Sequence, residues 1–250
     1  MRILGLLGGM SWESTLPYYR TINERVRERL GGLHSAQLLL YSVDFAQIEA
    51  LQMRGDWDAA AHVLADAADA LRRGGAQALV ICTNTMHKVA PQIARAVDLP
   101  ILHIADATAA RIRAAGIARV GLLGTRFTME QDFYKGRLAE RGLDVLVPDA
   151  QARDAVHRII YDELCVGIVR ETSRETYRGV MADLVARGAQ GIVLGCTEIG
   201  LLVGAADCAV PTFDTALIHA QAAADWSIDD RFVDDRFVDD RFVDDRAIGA

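Results

Sequence analysis

The chain has 250 residues, of which 51% are hydrophobic and 24% charged, and a formal net charge of −7 at pH 7. A chain of this size buries one large core or two modest ones. Its acidic balance argues against nucleic acid and anionic membranes as partners, and no apolar run is long enough to span a bilayer.

Ile3 to Leu7 follows Arg2 directly and is too short for the apolar region of a secretory signal. It reads as a first core strand, and the expected location is the cytoplasm. Gln37 to Val43, Leu79 to Cys82 and Ile101 to His103 are further strand candidates. Between them, Trp12 to Leu30 and Trp57 to Arg73 have helical spacing. The second half opens at Arg119-Val120-Gly121-Leu122-Leu123-Gly124-Thr125, an echo of Arg2-Ile3-Leu4-Gly5-Leu6-Leu7-Gly8. It continues with a helix around Met129 to Arg141, a strand near Asp144 to Val147, and helices over Asp154 to Val169 and Glu175 to Arg187. The strand Ile192 to Gly195 follows. Pro211-Thr212-Phe213 mirrors Pro100-Ile101-Leu102, and a helix runs from Thr215 to Trp226.

A second echo carries the chemistry. Gly75-Ala76-Gln77-Ala78-Leu79-Val80-Ile81-Cys82-Thr83-Asn84 slides onto Gly188-Ala189-Gln190-Gly191-Ile192-Val193-Leu194-Gly195-Cys196-Thr197. Thr83 then falls on Cys196. The expected fold class is therefore α/β: two pseudo-symmetric domains of parallel sheets flanked by helices, with the active site in the cleft between them. The expected boundaries are 1–103 plus 214–228 for the first half and 104–213 for the second. In the segment 229–250 the unit Asp-Asp-Arg-Phe-Val repeats with a period of five as far as Asp244-Asp245-Arg246, which suits neither helix nor strand. That tail reads as disordered, without a catalytic role.

Cys196 stands where an apolar run gives way to polar residues. Cysteine also serves as a small buried hydrophobe. If Thr197-Glu198-Ile199 starts a helix, its field lowers the thiol pKa. Thr83 reads either as an N-cap or as the counterpart of Cys196, with Cys82 pointing away by strand alternation. Asn84 and Thr85 offer donors to a carboxylate, and His87 lies one helical turn beyond Thr83. Gly8-Gly9-Met10-Ser11-Trp12-Glu13-Ser14 follows the first strand. Ser11 suits an N-cap, and such a turn presents amides to an anion. Its glycine spacing is not a dinucleotide fingerprint. Thr125 occupies the matching loop of the second half. The four cysteines, Cys82, Cys165, Cys196 and Cys208, are scattered, which favours free thiols. Cys82 with His87 lacks further ligands for a metal. The two lysines, Lys88 and Lys135, lie in no phosphate-binding context, so pyridoxal chemistry is not expected.

Gly8 to Thr15, Thr83-Asn84-Thr85-Met86-His87 and Gly195-Cys196-Thr197-Glu198 together resemble the aspartate/glutamate racemase family, above all its proteobacterial branch of L-aspartate/glutamate and broad-specificity amino-acid racemases. The resemblance spans residues 1 to about 228. It implies two α/β domains, no cofactor, an amino-acid substrate and a homodimer. It also implies two cysteines, one removing the α-proton and the other protonating the opposite face. Here the first is Thr83, a far poorer base than a thiol, which leaves Cys196 as the strong base. Catalysis is then expected to be asymmetric in its separate kinetic constants. The resemblance and the loops above mark Met10, Ser11, Gln52, Asn84, Thr85, Thr125, Thr197 and Glu198 as substrate-binding candidates, with Arg54 as a carboxylate clamp or a solvated side chain. Relatives often carry a lysine after a Glu-Leu pair. Glu163-Leu164 is followed here by Cys165, so that lysine contact to an acidic side chain is missing; the substrate the resemblance implies is aspartate/glutamate or a broader set of amino acids. Two other functions fit the same residues: a single-cysteine decarboxylase or isomerase of the superfamily, and a non-catalytic amino-acid-binding protein.

Overall fold

The computed structural model describes residues 1–229; the repeats that follow, and the expectation of a disordered tail, lie outside the described residues. The chain divides into two compact units, one made of Met1–His103 with the segment from His219, the other of Ile104–Ile218. The return to the first unit falls at His219, where 214 was expected.

In the first unit the order is β1 (Leu4–Gly8), α1 (Trp12–Leu30), β2 (Leu38–Ser42), α2 (Phe45–Arg54), α3 (Trp57–Arg73), β3 (Ala78–Ile81), a 3-10 turn (Thr85–Val89) and α4 (Ala90–Val97). The strands form a parallel sheet ordered β2-β1-β3. Every residue of β1 and β3 is buried, because helices cover both faces; this is why they read as continuous apolar runs. Leu7, Leu79 and Ile81 meet Leu64 and Leu71 of α3 and Ile93 of α4 in one core.

The second unit runs α5 (Ile104–Ala114), β4 (Arg119–Gly124), α6 (Arg126–Glu130), α7 (Asp132–Glu140), β5 (Asp144–Leu146), α8 (Ala150–Asp162), α9 (Glu171–Ala186), β6 (Gly191–Gly195) and β7 (Thr212–Asp214). Its sheet is parallel and ordered β5-β4-β6-β7. The last helix, α10 (Thr215–Ile228), starts in this unit and ends in the first. Among the described residues, no helix is long and apolar enough to cross a membrane.

Four expectations change. The helix expected over Asp154 to Val169 is α8, which ends at Asp162 and is followed by a separate 3-10 turn, Leu164–Val166. Ile101 to His103 is not a strand: one bridge joins Leu79 to Ile101, and the chain then turns into α5 at Ile104. The helix around Met129 to Arg141 is broken at Gln131, whose extended backbone (ψ 151°) separates α6 from α7. Three helices were missed: α2, α4 and α5. Of these, α2 is announced by Asp44, whose carboxylate accepts from the Ala46 amide, and ended by left-handed Gly55.

Candidate active site

The internal repeat is reproduced in backbone detail. Gly75 and Gly188 adopt the same positive φ, 100° and 98°. The Gln77 side-chain oxygen accepts from the Ile3 amide, and Gln190 accepts from the Ala118 and Arg119 amides. The Leu79 amide donates to the Pro100 carbonyl, as Ile192 does to Pro211. Leu7 pairs with Ile81, and Leu123 with Leu194. Continuing each register by two residues brings the chain to Thr83 in one unit and Cys196 in the other. Both follow the carboxyl end of a parallel strand, β3 in one sheet and β6 in the other, and both are buried.

In the first unit, Met10, Ser11, Gln52, Thr83, Asn84, Thr85 and His87 are all buried. Gly9 has a φ of +88°, and its amide donates to Thr15 Oγ1 at 2.9 Å. The Met10–Ser11 peptide is cis. Ser11 occupies the N-cap of α1 without making a side-chain cap bond; its carbonyl instead accepts from the hydroxyls of Ser14 and Thr15. Gln52, on α2, donates to Met86 Sδ at 3.0 Å, whereas Arg54 is exposed.

Thr83 is not an N-cap. The Thr85–Val89 turn begins after Asn84, and His87 Nδ1 donates to the Thr83 carbonyl at 2.8 Å. A carbonyl only accepts, so Nδ1 carries the proton. His87 packs edge-on to His103 with ring centroids 4.4 Å apart, and its centroid lies 5.7 Å from that of buried His219. His219 Nε2 donates to the Leu102 carbonyl, while its Nδ1 meets the Tyr18 hydroxyl at 2.9 Å. Sequence reading found His87 but not His103, His219 or Tyr18. No local signal announces a pair such as Tyr18 and His219, 201 positions apart.

In the second unit, Thr125 caps α6, its hydroxyl oxygen accepting from the Thr128 amide. Cys196 Sγ donates to Glu198 Oε2 at 3.0 Å, and the Thr197 hydroxyl donates to the same oxygen at 2.8 Å. The expected helix start at Thr197 is absent. Only a three-residue 3-10 turn, Ile199–Leu201, follows. The expected direction of the thiol pKa is therefore reversed. Burial and the neighbouring Glu198 carboxylate push Cys196 well above the usual thiol range. Cys165 packs against the core that contains Cys196, and its own thiol is pushed up by burial and by Glu198. Tyr177, fully buried on α9, is raised by burial and by Cys196, Cys165 and Glu163. Sequence reading missed Tyr177 at this site. Among the described residues, no group of three His, Cys, Asp or Glu side chains is placed to hold a metal ion.

The buried thiols carry a stability consequence. Cys82, fully buried with its Sγ directed at the Val80 carbonyl, is also pushed upward by burial. Unfolded thiols ionise near pH 9, the reference value for Cys82, whereas the folded ones stay protonated. The unfolded state therefore loses protons first. The contribution is complete below pH 9 and is lost above it, by about 1.4 kcal/mol per pH unit for each thiol. Melting followed by circular dichroism is expected to show a falling Tm above that pH, less steep in Cys82→Ala. A flat profile would contradict this.

Comparison with known proteins agrees with the geometry. Residues 7–223 match the Asp/Glu/Hydantoin racemase family. The chain belongs to this family. A Yersinia pestis protein with a provisional Asp/Glu racemase assignment is 60% identical, covering 92% of this chain and 100% of that one, with a TM-score of 0.85. An aspartate racemase homologue from Pyrococcus horikoshii OT3 is 35% identical over the same shares, with a TM-score of 0.79. The broad specificity amino-acid racemase RacX of Bacillus subtilis (strain 168) is 22% identical over 223 residues, 88% of this chain and 96% of RacX. Family membership accounts for the α/β sheets and for polar residues gathered at their carboxyl ends.

Proposed function

We propose that the protein is a cofactor-independent amino-acid racemase in which Cys196 removes the α-proton and Thr83 is the second, weaker proton donor. The observation that carries this reading is the hydrogen bond from Cys196 to Glu198. A buried thiol with a raised pKa is a poor base at rest. A carboxylate already accepting its proton supplies the missing step: the proton passes from sulfur to Glu198 and leaves a thiolate. The thiolate takes the α-proton, the carbanion electron pair is held by the substrate carboxylate, and donors such as Asn84 and Thr85 stabilise that charge. Reprotonation from Thr83 inverts the centre, and the proton held on Glu198 then makes good, by way of solvent, the one Thr83 gave up; reprotonation from Cys196 restores the original centre, and Glu198 returns its proton to the sulfur.

The free enantiomers have an equilibrium constant of unity, so kcat/KM is the same in both directions. A weak donor at position 83 therefore separates kcat and KM for the L and D substrates in proportion. Thr83→Cys supplies a second thiol. It is expected to raise kcat in the slower direction by about tenfold and to bring the two pairs of constants together. Polarimetry from each enantiomer measures this, and an unchanged pair of constants would remove Thr83 from the reaction.

The reading as a whole is tested by proton NMR of aspartate, glutamate and a panel of other L-amino acids in D2O, without added cofactor. Loss of a Cα–H signal supports it and names the substrate. Retention of every signal overturns it, and carbon dioxide release from a substituted malonate would put a decarboxylase in its place.

A further inference from the structure

We infer that His87 is a positioning residue for the proposed reaction, pinning the backbone from which the Thr83 hydroxyl projects; the inference rests on the racemase reading above. Thr83 lies between two regular elements. β3 ends at Ile81, and the 3-10 turn starts at Thr85. Neither element fixes Thr83, yet the residue is buried, and a buried carbonyl needs a donor. The two units meet this need differently. In the second, the Ile199 amide donates to the Cys196 carbonyl at 3.1 Å. In the first, the corresponding backbone bond has moved on by one residue and runs from the His87 amide to the Asn84 carbonyl, also at 3.1 Å. The Thr83 carbonyl accepts from the His87 imidazole at 2.8 Å instead. The Thr83 amide is tied back to the Ile81 carbonyl at 2.9 Å. Both backbone polar groups of Thr83 are thus held. Threonine is branched at Cβ and stiff at χ1, so a fixed backbone leaves its hydroxyl few directions. A side chain does for Thr83 what the main chain does for Cys196.

His87 is itself held. It is buried, and its ring packs edge-on against His103. The segment that carries His103 is fixed at Leu102 from two sides. The Leu102 amide donates to the Leu79 carbonyl of β3 at 2.9 Å, and the Leu102 carbonyl accepts from His219 Nε2 at 2.6 Å. His219 Nδ1 in turn meets the Tyr18 hydroxyl at 2.9 Å. Buried polar contacts therefore run from Tyr18 on α1, through His219 on α10, to the segment against which His87 packs. Satisfied networks of this kind rigidify the parts they join. Rigidity matters at a reacting group, where misplacement by about 1 Å costs on the order of 10² in rate.

The test separates two fates of the carbanion. The L-amino acid whose Cα–H the wild type exchanges, among aspartate, glutamate and the panel above, is incubated in D2O. Inversion through Thr83 gives the D enantiomer. Deuterium in the recovered L enantiomer reports return through Cys196, after its sulfur has exchanged with solvent. Chiral chromatography with mass detection gives the ratio of the two. His87→Leu removes the donor and is expected to lower inversion relative to exchange by on the order of 10 to 10². His87→Asn loses the ring but sets an amide N–H near the place of Nδ1, and is expected to keep the ratio within about threefold of the wild type. A merely structural role lowers both products together and leaves the ratio unchanged. An unchanged ratio in His87→Leu overturns the inference while the racemase reading stands, as does an equal fall in both variants. His87→Ala removes the same donor without added bulk and replaces the leucine variant if circular dichroism shows that one unfolded. Retention of every Cα–H signal by the wild type removes the racemase reading, and this inference with it.

Discussion

Cys196→Ser is expected to lower the rate of α-proton exchange by on the order of 10²–10⁴, the usual contribution of a positioned acid–base group. Serine is close in size to cysteine, and its hydroxyl donates to Glu198 as the thiol does across 3.0 Å. The packing and the hydrogen bond are therefore kept, and only the acidity of the proton changes. A hydroxyl surrenders its proton to a carboxylate far less readily than a thiol does. Glu198→Gln separates the two halves of this argument. Burial and Glu198 together hold the thiol protonated, so loss of the negative neighbour lowers the thiol pKa. Alkylation of Cys196 by iodoacetamide is then expected to accelerate in Glu198→Gln while turnover falls, because the acceptor of the thiol proton is gone. Wild-type turnover should rise with pH above neutrality as the thiolate fraction grows. Exchange persisting at the wild-type rate in Cys196→Ser would remove the thiol from the mechanism.

Gly9→Ala is expected to destabilise the fold by about 3 kcal/mol, combining left-handed strain with overpacking. Two separate facts require glycine there. Its φ is +88°, and an added Cβ would lie 2.4 Å from the Val43 carbonyl oxygen, a backbone atom that the Gly8 carbonyl already anchors through the Val43 amide. Gly55 is the control, with a φ of +70° but nothing within 4 Å of a Cβ. Gly55→Ala carries only the backbone term, about 1 kcal/mol. Tm measured by circular dichroism compares the two. Equal losses would show that the contact with Val43 relaxes freely.

The candidate residues of the two units were unequally legible. Thr83 and Cys196 were found because equivalent glycines, glutamines and prolines recur at matched offsets, and each has a backbone role that the fold repeats. Gly75 and Gly188 turn the chain, and Gln77 and Gln190 tie down the first strand of their units. Helices with a strong apolar period were found with their ends, as α1 and α3 illustrate. α4, eight residues long, has too few turns to establish a period, and α5 is buried around most of its circumference, so no single apolar stripe stands out.

The sequence alone determined the parallel α/β class and the residues at the carboxyl ends of β3 and β6. Both follow from local apolar runs, small residues and turn-forming glycines, which neighbouring positions impose directly on the backbone. Only the tertiary structure decided the state of Cys196. A helix start at Thr197 would have favoured the thiolate. The fold instead buries the thiol against Glu198, with Cys165 and Tyr177 brought in from other elements. It likewise set His219 on Tyr18 and packed His103 edge-on against His87. Periodicity reports which face of an element is apolar. The protonation of a buried group depends on what distant segments pack around it, because charges interact strongly wherever water has been removed.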